Sequence, residues 1–360
     1  MNCLFLYNNF LTSINNITAV SSLRNGYVTP AVKAGSGTGT MQTGGNFTGQ
    51  QDLEYTVEID SVSSGAEIGQ ATFKWSDGGG SWDASGVLTN SSFLDLNNGA
   101  QVKWTAAAGD DFVLADKWYF KGINLFNPAK LVDGLRDTFY RSATLSSPNT
   151  ITIDLLTAQT PQALILWDHN ITVGATITIY GNDSDSWSAP AYTDTISYAE
   201  NFILHPLVSP EAYRYWRINI TDTGNPDGYI QISELFLGEY FSPENNYESD
   251  LDIPQEFIFN SNQSAYGISR YRYFNRRKTF NVLFPYISNS QKNYFLSLVE
   301  DVTDKTTGKL KNFYFAPNDT KLIDNCIVAY MVQLLSFSVT EHNFDYYSIR
   351  LTFQEVLQSV

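Results

Sequence analysis

Short runs in which apolar and polar residues alternate recur along this 360-residue chain, separated by Gly, Asp and Asn turns. In Arg214-Tyr215-Trp216-Arg217-Ile218-Asn219-Ile220, one set (Trp216, Ile218, Ile220) falls on one side and the other (Tyr215, Arg217, Asn219) on the opposite side. The first set is expected to face a core. Asp345-Tyr346-Tyr347-Ser348-Ile349-Arg350-Leu351-Thr352-Phe353 alternates as strictly. Such a chain builds sheets, and the class is expected to be mainly β. Aromatic residues make up 14% and charged residues only 16%. With the β-branched residues spread throughout, that composition excludes a disordered chain.

The length suggests two or three domains. Leu4 to Tyr7 and Ile14 to Ser22 read as strands. Lys33 to Gly45 is rich in Gly and Thr and reads as a flexible link or a run along a surface. Residues 46–122 read as a small β-sandwich, with Tyr55, Val57 and Ile59 on one face of a strand. Strands continue through Ile151–Leu155, Ala163–Trp167, Thr176–Tyr180, Tyr215–Ile220 and Tyr229–Phe236. Ser242-Pro243-Glu244-Asn245-Asn246 suggests a linker. Arg270 to Leu283 reads as a strand pair or one long strand. Ser288 is placed to cap a helix carrying Tyr294, Phe295, Leu298 and Val299 at helical spacing. Three further strands close the chain.

Two separated motifs carry a family signal. They are Leu131-Val132-Asp133-Gly134-Leu135-Arg136-Asp137-Thr138-Phe139 and Gly228-Tyr229-Ile230-Gln231-Ile232-Ser233-Glu234-Leu235-Phe236-Leu237-Gly238. With Ile151-Thr152-Ile153-Asp154-Leu155 between them, they resemble the bracketing motifs of the discoidin (coagulation factor 5/8 type C) jelly roll. The start of that domain resembles Ile14–Ser22 with Gly26-Tyr27. The resemblance therefore implies a discontinuous discoidin-like jelly roll over 1–29 plus 123–240, with a small β domain inserted at 30–122. The last hundred residues, from Arg277-Lys278-Thr279-Phe280 to Gln354-Glu355-Val356, resemble domains of bacteriophage tail-tip proteins. That implies an α+β platform over 247–360.

The discoidin resemblance implies a binding protein that meets sugars through its loops. It brings Asp133 and Glu234 to one corner, where relatives hold a structural Ca²⁺. Asp133, Thr138 and Glu234 match ligand-type positions, and Asp137 is a further candidate. The alternative is that Asp133 caps a turn while Glu234 pairs with Arg136 or Arg141. Sugar recognition needs an exposed aromatic ring and planar polar groups, and Trp187, Tyr140, His169 and Asn170 are candidates. Trp187 lies on a polar loop and is preferred over Trp167, although a loop Trp can equally pack over its own domain edge. Arg270, Arg272, Arg276 and Arg277, interleaved with aromatics, suit a subunit interface better than nucleic acid. Trp75-Ser76-Asp77-Gly78-Gly79-Gly80-Ser81-Trp82 is similar to the Asp-box of sialidase propellers, but it occurs once and reads as a hairpin with a tryptophan lid.

Charge narrows the partners. The formal net charge is −15; residues 1–249 hold 11 Lys and Arg against 26 Asp and Glu, and residues 250–360 hold 11 of each. The acidic part disfavours nucleic acid and anionic membranes. No apolar run reaches membrane-spanning length. Cys3 and Cys326 are the only cysteines, too few for a disulfide framework. The start of the chain lacks the basic region and cleavage site of a secretory signal. Three histidines are too scattered for a zinc site, and neither a nucleophile elbow nor a P-loop is present. Enzymatic activity is not expected. The expectation is a virion structural protein of a phage tail tip or baseplate, assembled in the host cytoplasm, with tail proteins, copies of itself and a surface glycan as partners. The alternative is a free carbohydrate-binding lectin or an accessory module of a polysaccharide-degrading system.

Overall fold

The computed structural model describes residues 2–356 except 79, 249–250, 264–268, 304–309, 319–321, 324–325, 328 and 343–345. For 259–263, 269–275, 322–323 and 326–327 it describes the backbone path alone. The chain is mainly β, with one α-helix among the described residues.

Residues with strict alternation form the outer layer of a sandwich. Five antiparallel strands run in the order Tyr192–Ile196, Thr176–Asn182, Tyr213–Thr221, Asn149–Gln159 and Ile17–Val20. Their inward residues, among them Ile151, Ile153, Ile177, Ile179, Trp216 and Ile218, are buried in one core with Leu164, Leu166, Leu235 and Leu237 of the facing sheet. The facing strands Ala163–His169 and Gln231–Phe241 are buried almost throughout. They read as continuous apolar runs because both faces are covered. On one of those faces Trp167 and Phe236 pack against the ring of Tyr314.

The facing sheet does not stop at the edge of the sandwich. Leu4–Asn9 pairs with Gln231–Phe241 on one side and with Phe313–Ala316 on the other. The sheet then continues through Tyr330–Glu341, Tyr347–Glu355, Ser269–Ile287 and Gln255–Gln263. Ser269–Ile287 is a single 19-residue strand that pairs first with Gln255–Gln263 and then with Tyr347–Glu355. The helix Asn289–Val302 packs on this part and buries Phe295, Leu298 and Val302. Its start is set by Ser288, whose hydroxyl accepts the amide of Gln291 at 3.3 Å.

Residues 28–120 contribute a third core, separate from the other two, around Trp104, Trp118, Phe47 and Tyr55. Its main sheet runs Tyr27–Val28, Lys117–Ile123, Leu53–Ser61, Thr72–Ser76, Ala84–Leu88. Gly122 and Ile123 stand opposite Val28 and Tyr27, so the chain enters and leaves this unit side by side. Trp82 caps the hairpin Thr72–Ser76/Ala84–Leu88, with the Lys74 ammonium 4.4 Å from its ring centre.

Two local expectations change. The Gly/Thr-rich stretch is not a loose link. It wraps the buried carboxylate of Asp116, which accepts the amides of Ser36 at 2.9 Å, Gly37 at 3.1 Å and Val113 at 2.9 Å. A Cβ on Gly37 would sit 2.4 Å from an Asp116 oxygen, which is why a glycine stands there. Likewise Ile14–Ser22 is not one strand. A short 3₁₀ turn over Ile14–Asn16 precedes Ile17–Val20, because Ser13 and Asn16 cap each other's backbone.

Two stability predictions follow from this packing. Asp116→Ala strands three amide donors and should destabilise the unit around Trp104 and Trp118 by about 3 kcal/mol. Urea unfolding followed by tryptophan fluorescence checks it, through an earlier midpoint. Phe5→Ala, at the junction of both ladders, should cost about 3–5 kcal/mol. Its midpoint should fall with no new early transition, because the strand belongs to both neighbours.

Candidate functional site

Asp133 and Glu234 come together across a single glycine. The Gly134 amide donates to Glu234 Oε2 at 3.1 Å, and Gly134 takes a left-handed φ of 72° that allows the tight turn. Asp133 Oδ1 accepts the Leu135 amide at 3.0 Å, its Oδ2 accepts the Thr138 hydroxyl at 2.7 Å, and Lys130 Nζ lies 3.7 Å away. Asp133 is therefore a turn cap. Glu234 is buried directly opposite Trp167 on the neighbouring strand. Burial first, and the negative Asp133 second, push its carboxyl well above the ordinary range.

Calcium wants roughly six to eight oxygens around one point; here Asp133 has Lys130 and two hydrogen bonds, and one Glu234 oxygen accepts the Gly134 amide. Asp137 lies on the exposed side of the turn. Among the described residues no group of three or more His, Cys, Asp and Glu surrounds a common point. The expected pairing of Glu234 with an arginine is also replaced. Arg136 lies over the Trp167 ring and donates to the Val356 carbonyl, and Arg141 lies over Phe126 and donates to Gln231.

The closing segment adjoins this corner: Asn312 donates to the Gly134 carbonyl at 3.1 Å, and the Val356 carbonyl accepts from Arg136.

Three of the four sugar-binding candidates are committed to structure. Tyr140 is 2% exposed and its hydroxyl donates to the Ser22 carbonyl at 2.7 Å. Its ring belongs to the core. His169 is buried and accepts the Ile171 amide on Nδ1, and burial lowers its pKa to about 4. Asn170 clamps a loop: its amide donates to Asp227 and to the Tyr229 carbonyl, and its oxygen accepts the Gln231 amide at 2.7 Å.

Trp187 is half-buried on its loop, and its ring is held by neighbours. Its Nε1 donates to Asp185 at 2.6 Å, and the Arg217 guanidinium lies 4.7 Å from its ring centre. Arg217 donates through Nε to the Thr152 hydroxyl at 3.1 Å. Register puts Arg217 in one transverse row with Ala19, Thr152, Tyr180 and Thr193, across all five strands of the outer sheet. The adjoining rows hold Asp154, Tyr215 and Asn182 on one side and Thr150, Asn219, Thr178 and Thr195 on the other. Arg214 closes the end with a bidentate pair to Asp154, both bonds 2.7 Å. Partial burial draws the Arg217 pKa down and the nearby Asp185 pulls it back up. Tyr180, Tyr215 and Arg217 were not among the sequence candidates. Their signal was the polar half of the alternation, read only for the core it implied.

Arg277 donates to Gln354 and Arg276 to Gln255, both within the same sheet. The side chains of Arg270 and Arg272 lie outside the described residues.

No protein-family model matches the chain, and no curated protein does. Solved structures similar to part of it include chitosan-binding module 1 of a chitosanase/glucanase from Paenibacillus sp. IK-5. That likeness has 21% identity, covers 32% of this chain and 88% of that one, and has a TM-score of 0.27. A fucose-binding module from Streptococcus pneumoniae gives 17% identity, 33% and 89% coverage and a TM-score of 0.27. A GH29 fucosidase from Ruminococcus gnavus gives 15% identity, 33% and 23% coverage and a TM-score of 0.27.

Glu234 makes stability depend on pH. Its folded pKa is raised, so its contribution is fully present below the unfolded carboxyl pKa and is lost as pH rises through the folded value. Glu234→Gln should remove a loss of about 1.4 kcal/mol per pH unit over that window. Denaturant midpoints of both proteins at stepped pH check this: the variant should gain on the wild type as pH rises.

Proposed function

We propose that this protein is a carbohydrate-binding protein, and that its contact surface is the outer face of the five-stranded sheet around Trp187 and Arg217. The observation that carries this is the Arg217 row. A tryptophan fixed at both its edge and its face adjoins rows of hydroxyls, two tyrosines and a guanidinium. A sugar presents an apolar ring face and a rim of hydroxyls. An indole meets the first, and fixed planar donors and threonine hydroxyls meet the second. Because strand pairing and the Asp154–Arg214 pair hold these groups in place, little side-chain freedom is lost on binding.

The site holds no general acid and base pair astride a cleft, and the reading is of a binder, free-standing or accessory to a polysaccharide-degrading system. The tail-tip role implied by the closing segment rests on that resemblance alone, and none of the similar structures above is a tail protein.

Glycan-array screening of the full chain followed by calorimetry tests the proposal. Trp187→Ala and Arg217→Ala should each weaken the best ligand at least about tenfold, while Tyr140→Phe should leave affinity unchanged. Silence of the wild type across a broad array, or full affinity in both surface variants, would overturn it.

A further inference from the structure

The unit around Trp104 and Trp118 has a sheet face turned away from its own core. Along Lys117–Ile123, Leu53–Ser61 and Thr72–Ser76 the residues alternate, and one half, with Trp118, Val57 and Phe73, is buried. The other half therefore points outward. Register gathers it into rows: Tyr119, Thr56 and Ser76 form one, and Lys117, Glu58 and Lys74 form the next. Tyr27, opposite Ile123, extends the face at its far end, because its neighbour Val28 packs on the core. Trp82 folds back over the same face. Its hairpin is closed by the Asp83 carboxylate, which accepts the Asp77 amide at 2.9 Å. The ring sits over the Lys74 ammonium, which Glu58 holds at 3.3 Å while holding Lys117 at 3.1 Å.

Three aromatic rings are presented there, with Trp82 42%, Tyr119 44% and Tyr27 49% exposed. The strands that carry Tyr119 and Lys74 are two strand spacings apart, roughly 9–10 Å. Ile123 lies four residues beyond Tyr119, roughly 13–14 Å along its strand. The charges of these three strands balance. Lys74 and Lys117 share Glu58, Lys121 pairs with Glu54, and Asp60 accepts the Thr72 hydroxyl and the Gly86 amide. In a chain of net charge −15 this face is neutral, and its charges already have partners. The core of a protein–protein interface is depleted of charged residues, whereas here ion pairs lie between the rings. The complement of such a face is an uncharged ligand whose apolar ring faces are spaced along a chain and rimmed with hydroxyls.

We infer that this face is a second carbohydrate contact, and that it takes an extended, uncharged glycan chain rather than a single terminal sugar. Trp82 has one ring face on Lys74 and offers the other, and Tyr119 meets a further sugar residue of the same chain. The hydroxyls of Thr56 and Ser76 lie beside Tyr119 in its row, in reach of the sugar rim. Pairing through Glu58 fixes Lys74, and with it the indole, before any ligand arrives. The ligand class rests on the carbohydrate reading above; the place, and the demand for chain length, depend on neither Trp187 nor Arg217.

Calorimetry of the full chain with cellohexaose, xylohexaose and N-acetylchitohexaose, each against its own disaccharide, tests this. At least one hexasaccharide should bind, at least about tenfold more tightly than its disaccharide. Trp82→Ala and Tyr119→Ala should each weaken it at least about tenfold. Trp82→Phe should keep most of the affinity, which separates loss of the ring from loss of fold. Added salt should change little, because the ligand carries no charge. Arg217→Ala should keep this binding. Binding lost in Arg217→Ala yet kept in Trp82→Ala and Tyr119→Ala would overturn the inference and leave the reading around Trp187 standing; the reverse pattern supports the inference even where that reading fails. Equal binding of the disaccharide, or silence of the wild type toward all three chains, would overturn it. So would self-association in light scattering that Tyr119→Ala abolishes, since the face would then belong to a second copy.

Discussion

The strand Leu4–Asn9 is the physical hinge of the architecture, because both of its edges are occupied. One edge takes the last strand of the sandwich and the other takes Phe313–Ala316. Phe5 is ringed by Phe241, Phe284, Phe295, Phe313, Phe315 and Phe353, with centroid separations from 5.1 to 6.4 Å. A strand buried on both edges and both faces cannot be withdrawn without exposing two sets of ladder amides and that aromatic cluster. The sandwich and the helix-covered sheet are thereby one continuous body along this seam. The Asp133 turn is positioned by the same seam, since the segment leading into Phe313 also supplies the Asn312 bond to Gly134.

That continuity separates two surfaces. On the five-stranded sheet of the sandwich the polar half of each alternating strand is gathered into rows, in which Thr152 and Asp154 are buried and Thr193 and Thr195 exposed. At the seam itself the strands splay, and the interior is reached by a cleft lined with carboxyl groups. The first surface is built from hydroxyls, rings and guanidinium groups, and the second is concave.

Much of this was legible in the residues. Strict alternation in Arg214–Ile220 assigned Trp216, Ile218 and Ile220 to the core, and all three are buried. Ser288 and the spacing of Phe295 and Leu298 marked the helix. The meeting of Asp133 with Glu234 followed from the resemblance of two motifs, and the structure places them around Gly134. What was not legible depended on partners distant in the chain. The Gly/Thr-rich stretch reads as loose until Asp116, some eighty residues on, supplies the acceptor for its amides. Tyr140, His169 and Asn170 carry groups suited to a ligand, and only the fold shows that Ser22, Ile171 and Gln231 already use them. Nor does any local pattern reveal that Leu4–Asn9 serves two neighbours at once.

The same strand pair that carries Glu234 also carries His169, which stands opposite Ile232 while Trp167 stands opposite Glu234. Burial disfavours the charged form of each side chain, and their proton couplings oppose each other. His169, lowered from 6.5 to about 4, contributes stability above its unfolded pKa that is lost as pH falls through the folded value. Glu234, raised from 4.5, contributes stability that is lost as pH rises. Where both groups titrate, their contributions change with pH in opposite directions, so each offsets part of the other's pH dependence.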